Sequence, residues 1–425
     1  MCYNTAMQKL INFDSGLKLV FVPNTAVRSV AIGVFVGAGV VTETPEIAGI
    51  SHFIEHMVFK GTKTRTSFDI VNEIDSIGAQ INAFTAKSYT CFHTVSVDTN
   101  AGKCAAVLSD LYFEPTFLPE ELEKERKVVI EEINESEDTP DDVCIECLVS
   151  AFFKDHPLEK PILGTKETLA AMTSDTLKEY HSKYYVPNNT VLAIAGNLTL
   201  GQAKEIAVRY FDSRFTNARK TQISALPTAP SKSISVSKKK QIEQAHFAFA
   251  FPGLAYDHEK TIPMQLMSLI FSMGMSSRLF QGVREKLGLC YTVVGYPSSY
   301  GNNGDFIIYT ATSPDEIEKA VKAIRAEIDL LLEKGITEEE LQKGREQLKS
   351  SFVLGQESTS SMMRSFGSHA LMTGKLLDFD ERIAAIDSAT KEDVNAIARR
   401  IFDYSKVCAS LVSPVTDVDI LKLIK

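Results

Sequence analysis

One stretch of this chain returns about half the chain later. Leu118-Pro-Glu-Glu-Leu-Glu-Lys-Glu-Arg126 matches Ile336-Thr-Glu-Glu-Glu-Leu-Gln-Lys-Gly-Arg345 when Leu122 is set on Leu341, an offset of 219 in 425 residues. A period that long is a whole domain, because about 200 residues can bury a core of their own. The elements before each copy run in a matching order. Leu17–Val22 and Val30–Val36 read as β-branched strands, Thr42–Gly61 as a helix starting at Thr44-Pro45, and Ile70–Ile77 as a short helix. Gln80–Phe84 and Thr90–Val97 read as strands, Ala101–Phe113 and Pro119–Glu137 as helices, and Val191–Ala195 as a strand. Further on, Ala245–Phe251 (strand), Ile262–Phe280 (helix), Phe306–Thr312 (strand) and the helices Asp315–Lys334 and Thr337–Phe352 follow. The expectation is an α+β fold of two homologous domains, 1–215 and 235–425, each a mainly antiparallel sheet packed with helices. A polar, Pro-containing linker over 216–234 would join them.

Charge narrows the function. The formal balance is -9, from 45 Lys and Arg against 54 Asp and Glu. A basic footprint for nucleic acid is missing, and so is a polybasic membrane patch. The imbalance is concentrated: Glu120 to Glu146 holds 12 acidic and 3 basic residues, and the rest of the chain sums to zero. Met1 to Leu10 offers no apolar block of signal-peptide length, and Ser29 to Val41 is too short to span a bilayer. Seven cysteines, an odd number, read as cytosolic thiols, which places the protein in the cytoplasm. The lone CxxC at Cys144 and Cys147 has no second pair and reads as ordinary helix residues.

The strongest local signal is His52-Phe-Ile-Glu55-His56. On a helix the two imidazoles lie i and i+4 on one face, about a turn apart, where they can share one metal ion. Glu55 lies beside them, close enough to reach a metal-bound water without being a ligand. This is the inverted zinc-protease pattern, and such a site needs a third protein ligand and an open position. Pro119–Glu137 offers carboxylates. Leu122, Val129 and Ile133 form its apolar stripe, and Glu125 and Glu132, seven apart, flank that stripe, where a cation would relieve the cost of burying them. The aligned positions in the second copy are Gly344 and Ser351, with no HxxEH, so the chemistry is expected in the first domain alone.

Gly49-Ile-Ser-His-Phe-Ile-Glu-His-Met-Val-Phe-Lys-Gly-Thr62 resembles the active-site helix of the mitochondrial-processing-peptidase and pitrilysin family of zinc endopeptidases, the inverzincins. Glu125-Arg-Lys-Val-Val-Ile-Glu-Glu132 is similar to that family's downstream motif, and the likeness runs along essentially the full length, as in the bacterial-type two-domain branch. The resemblance implies one Zn2+ per chain on His52, His56 and Glu132, with Glu55 as general base and Glu125 as a carboxylate behind the ligands. It implies that Gly78-Ala-Gln-Ile-Asn-Ala-Phe-Thr85 is an edge strand to which an extended peptide adds through Asn82, Ala83 and Phe84, with Phe59 lining the pocket after the cut. Arg284 and Tyr291 resemble the family's Arg/Tyr pair that reaches the substrate across a closed chamber, and Asp142 and Glu146 its acidic pair for a basic residue near the cut.

A two-domain chain would be half of the family's clamshell. Because both the zinc motif and the Arg/Tyr pair are present, a homodimer acting on unfolded or extended peptides is expected, with neither nucleic acid nor membrane as partner. The alternatives are a non-catalytic assembly subunit and a catalytic subunit that needs a separate inactive partner. His93 and His246 read as structural strand residues, and His156, His181, His258 and His369 as loop or surface histidines.

Overall fold

The computed structural model describes residues 8–215, 221, 225–229 and 232–425. Cys2 and part of the 216–234 linker lie outside the described residues.

The first half contributes β1 (Lys9–Asn12), β2 (Lys18–Pro23), β3 (Ser29–Val36), α1 (Ile50–Met57), α2 (Ser67–Ser76), β4 (Gln80–Thr85) and β5 (Thr90–Val97). There follow α3 (Ala101–Phe113), α4 (Pro119–Asp138), α5 (Pro140–Phe152), α6 (Lys166–Ala171), α7 (Ser174–Tyr184), β6 (Thr190–Gly196) and α8 (Leu200–Tyr210). The second half runs β7 (Ser235–Lys239), β8 (Ala245–Pro252), α9 (Thr261–Phe271), β9 (Cys290–Tyr300), β10 (Asn303–Thr312), α10 (Ile317–Lys334), α11 (Glu338–Gly355) and α12 (Thr359–Thr373). It ends with α13 (Phe379–Ser388), α14 (Lys391–Ile401), β11 (Cys408–Ser413) and α15 (Ile420–Ile424).

The repeat is legible in the sheets. The first has the order β1-β2-β6-β3-β5-β4 and the second β7-β11-β8-β10-β9. Apart from the extra β1, each strand of one has a counterpart in the other. The pairing senses match too: β2 with β6 and β7 with β11 are parallel, and the remaining pairs are antiparallel.

The compact units are not contiguous halves. One comprises residues 1–133, 160–224 and 353–377, the other 134–159, 225–352 and 378–425. Thus α12, from the second half of the chain, belongs with the first sheet, and α5, from the first half, belongs with the second. The register of β3 shows how this works. Val30, Ile32, Val34 and Val36 join the core made with α1 and α3. Gly33 and Phe35, of opposite parity, face α12, where ideal Cβ atoms on Gly33 and Gly367 would lie 2.2 Å from Met363 Sδ and from Phe35 Cε2. In the other unit the Cys144 thiol on α5 donates to Ser410 O on β11 at 3.8 Å. The domain boundaries at 215 and 235 therefore differ from the packing by these two helices.

Two helix starts and stops also differ from expectation. Between Thr42 and Gly61 only Ile50–Met57 is α-helical, flanked by 3-10 turns. Gly49 holds φ +92 and packs on Gly164, so it sets the start of α1, not Thr44-Pro45. The helix after β8 stops at Phe271, before Gly274 at φ +87, not at Phe280.

Candidate active site

Helix α1 carries the HxxEH pattern and buries Ile50, Phe53, Ile54 and Met57 in the core of its unit, which turns His52, Glu55 and His56 to the half-buried side. Its N-terminus has no capping side chain of its own. Glu43, six residues upstream and 5% exposed, performs that role by accepting the Gly49 and Ser51 amide protons at 2.8 and 3.0 Å. Burial pushes this carboxyl up, and the two amide bonds pull it back.

Helix α4 buries Leu122, Glu125, Val129 and Ile133, so the stripe read from the sequence carries Glu125 with it. Glu132 Oε2 lies 3.8 Å from His52 Nε2 and 3.5 Å from His56 Nε2. Donors at bond lengths of about 2.0–2.1 Å around a tetrahedral ion are about 3.4 Å apart, so these separations fit one zinc. One donor atom from each of the three residues falls within 4.8 Å of the others. No other His, Cys, Asp or Glu cluster of this kind occurs among the described residues.

The groups behind the donors prepare them for a cation. His56 Nδ1 donates to Glu125 Oε1 at 2.9 Å, which leaves Nε2 with its lone pair toward Glu132. Glu125 also binds Lys60 Nζ at 2.7 Å. Burial would raise this carboxyl, but the bonds from His56 and Lys60 hold it below its ordinary value. Burial pushes His52 down to about 4, keeping that ring neutral and able to act as a donor. For His56 burial opposes the charge, yet Glu125, Glu132 and Glu55 together raise it: three carboxylates draw positive charge to this point. Glu55 is raised by burial, and its Oε2 accepts from Thr85 Oγ1 at 2.6 Å.

Strand β4 bonds only to β5, so its outer edge is open. Asn82 is exposed there, its Oδ1 accepting the Ala83 amide proton at 2.8 Å. Phe84 packs against Tyr89 and His93, under the Arg364 guanidinium of α12. Phe59 lies in the 3-10 turn after α1, half-buried against the core. In the other unit Arg284 stacks on Tyr291 at 4.8 Å and on Phe280 at 4.5 Å, and Tyr291 is 77% exposed. Asp142 (exposed) and Glu146 (half-buried) lie on α5, in that unit.

Several histidines and cysteines settle into structural roles. His156 is buried, donating to Pro227 O and accepting from the Leu158 amide, and His181 donates to Tyr112 O among aromatic rings. Neither is the surface residue expected. Burial pushes the Cys144 thiol up to about 12 and raises Cys147 as well, which disfavours the thiolate that metal or redox chemistry needs. Lys60, Thr85 and Glu43 are the contributors that sequence reasoning missed. Lys60 had a signal, standing one helical turn past His56.

Comparison with known proteins places this arrangement. Residues 19–166 match the family model described as insulinase (peptidase family M16), and residues 171–348 the one described as the peptidase M16 inactive domain. A Bacillus subtilis (strain 168) protein named as the uncharacterized zinc protease YmxG is 40% identical over 410 residues, covering 96% of this chain and 98% of its own. The chain belongs to peptidase family M16. Another M16 relative, named an uncharacterized zinc protease, from Rickettsia bellii (strain RML369-C), is 36% identical over 96% of this chain and 97% of its own. A crystal structure of a protease from Helicobacter pylori shares the M16 fold, with a TM-score of 0.90 and 20% identity over 96% of this chain and 99% of that one. The inactive-domain match fits the repeat, in which Gly344 stands where Glu125 does. An ideal Cβ there would lie 3.1 Å from Ile270, so apolar helix packing replaces the carboxylate.

Proposed function

We propose that this chain is a zinc-dependent endopeptidase that hydrolyses extended peptides. The observation that carries the reading is the convergence of His52, His56 and Glu132 on one point, with Glu55 beside them and not among the donors. Bound there, Zn2+ would polarise a carbonyl and lower the pKa of a coordinated water towards about 7. The open edge of β4 pairs with the substrate backbone, with Asn82 beside the scissile carbonyl, Ala83 and Phe84 along the strand and Phe59 beyond the cut. Glu55 takes a proton from the attacking water and returns it to the leaving amine. His56 keeps its donor nitrogen aimed by giving its other proton to Glu125.

Arg284 and Tyr291 serve the developing oxyanion from a second copy of the chain in a homodimeric chamber. What supports this is that both sets of residues occur on one sequence and that Tyr291 is exposed. Asp142 and Glu146 favour Arg or Lys near the cut, in keeping with the acidic run that contains them. The six cysteines among the described residues are free of disulfides, which fits a reducing cytoplasm, and no helix among those residues is long and apolar enough to cross a membrane.

The test is Glu55→Gln measured beside the wild type. The variant retains one zinc per chain by metal analysis and loses chelator-sensitive cleavage of an unstructured peptide library; turnover near the wild-type level removes Glu55 from its role. Enrichment of Arg or Lys within three positions of the cut, and a dimeric mass in size-exclusion light scattering, test the finer points.

A further inference from the structure

We infer that Thr85 is a positioning residue for Glu55, an inference that rests on the reading of Glu55 as the general base. Thr85 closes β4, the strand whose free edge takes the peptide, and donates from Oγ1 to Glu55 Oε2 at 2.6 Å. Thr85 engages Oε2 alone, which leaves Glu55 Oε1 for a water. One side chain thus ties the substrate strand to the base across 30 residues of sequence.

The hydroxyl is held from behind. Thr90, its cross-strand partner, is fully buried and uses its own proton on Ala38 O at 2.9 Å. Toward Thr85 Oγ1, 3.3 Å away, Thr90 therefore presents only lone pairs. The hairpin that sets the pair is itself clamped. The Ala86 amide donates to Tyr89 O and the Val41 amide to Lys87 O, and a Cβ on Gly39 would come within 2.5 Å of Ala86 O.

This arrangement suits a carboxyl whose two oxygens divide the work, Oε2 held by Thr85 and Oε1 exchanging the proton. While Glu55 is a carboxylate, Thr85 donates to it. Once Oε1 carries the proton taken from water, Oε2 is the carbonyl oxygen of the acid and still accepts from Thr85, so the proton stays on the oxygen that faces the leaving amine. Glu55 gains one proton from the water and passes it to the leaving amine, the Thr85 hydroxyl keeps its own, and the carboxyl holds one orientation throughout. A valine has the same shape and offers no donor to Oε2, whereas a serine offers one.

The experiment compares Thr85→Val, Thr85→Ala and Thr85→Ser with the wild type for kcat, KM, bound zinc and thermal midpoint, using one extended peptide. Thr85→Val is expected to lose about 10- to 100-fold in kcat, part of the 10²- to 10⁴-fold that a general base contributes, with KM within about twofold and zinc at one per chain. Thr85→Ser recovers to within about threefold. If Thr85→Val does not fold, Thr85→Ala is read by the same criteria. The inference is overturned if the hydroxyl-free variant keeps wild-type kcat, if its defect lies in KM alone, or if Thr85→Ser is equally impaired. A Glu55→Gln enzyme that turns over normally sinks the general-base reading and this inference with it. A dead Glu55→Gln beside a fully active Thr85→Val overturns the inference alone.

Discussion

Removing the Glu43 carboxylate tests whether α1, the helix that carries the HxxEH pattern, is anchored from outside itself. Glu43 accepts two amide protons at the start of α1, from Gly49 at 2.8 Å and Ser51 at 3.0 Å, in a buried setting. In Glu43→Ala both donors lose their acceptor, and each stranded buried donor costs about 1–3 kcal/mol. Part of that is offset, because burial of the charge, which pushes this carboxyl up, is relieved. The Lys160 contact is to the Glu43 backbone carbonyl at 3.0 Å and survives the change. The expected net loss is about 3 kcal/mol, or about 6–12 °C in the midpoint of a unit of some 200 residues. Glu43→Gln keeps one carbonyl oxygen for one of the two amides, so roughly half that loss is expected. Urea unfolding followed by circular dichroism gives the free energies, and amide exchange at Gly49 and Ser51 locates the effect. A Glu43→Ala protein within about 1 kcal/mol of wild type, with both amides still protected, would refute the reasoning. So would equal damage from Glu43→Gln.

Lys60→Met strips Glu125 of its 2.7 Å partner and is expected to weaken zinc binding at least tenfold in a chelator competition, while Lys60→Arg stays near wild type; equal affinities in all three proteins would remove Lys60 from the site. His181, held at about 4 by burial among Tyr112, Phe117 and Tyr185, gives an acid sensitivity whose sign is fixed. The unfolded chain binds the proton first, near pH 6.5, so stability present above that pH falls by about 3 kcal/mol as the pH drops towards 4. Stability curves of wild type and His181→Gln measured from pH 7 to 4 should diverge over that window, and parallel curves refute the assignment. Gly367→Ala drives a methyl group into the Phe35 ring and is expected to cost about 1–3 kcal/mol, read from the unfolding midpoint; an unchanged midpoint would show that the α12 contact yields freely.

What the sequence makes legible here is what short-range spacing can encode. His52 and His56 share a face because they are four apart, and Glu125 and Glu132 stack because they are seven apart, so helical period picks out the two histidines and the pair of carboxylates, and the family resemblance implies which carboxylate is the donor. Strands such as Thr90–Val97 and helices such as Ala101–Phe113 have unbroken patterns and agree with the structure residue for residue. The illegible parts join distant positions or depend on backbone conformation. Nothing local says that Thr85 meets Glu55, that Glu43 caps α1, or that Gly49 takes a positive φ and delays the helix to Ile50. Helix α12 escapes a periodicity reading because it packs through glycine: Gly367 lies against Phe35, where a pattern search expects a large apolar side chain.

The trade of α5 for α12 alters what distance along the chain means in this protein. Arg364 reaches within 3.3 Å of His93 although 271 positions separate them, and it stands over Phe84 on the strand proposed to receive the substrate. The half without metal donors thus supplies a wall of the half that has them. A gene cut between the two copies should yield neither an enzyme nor a spare part, only two incomplete pieces that each need the other to finish folding. Lesions in α12, which lies in the copy that lacks the histidines, would then be felt at Phe84 and His93 in the copy that has them.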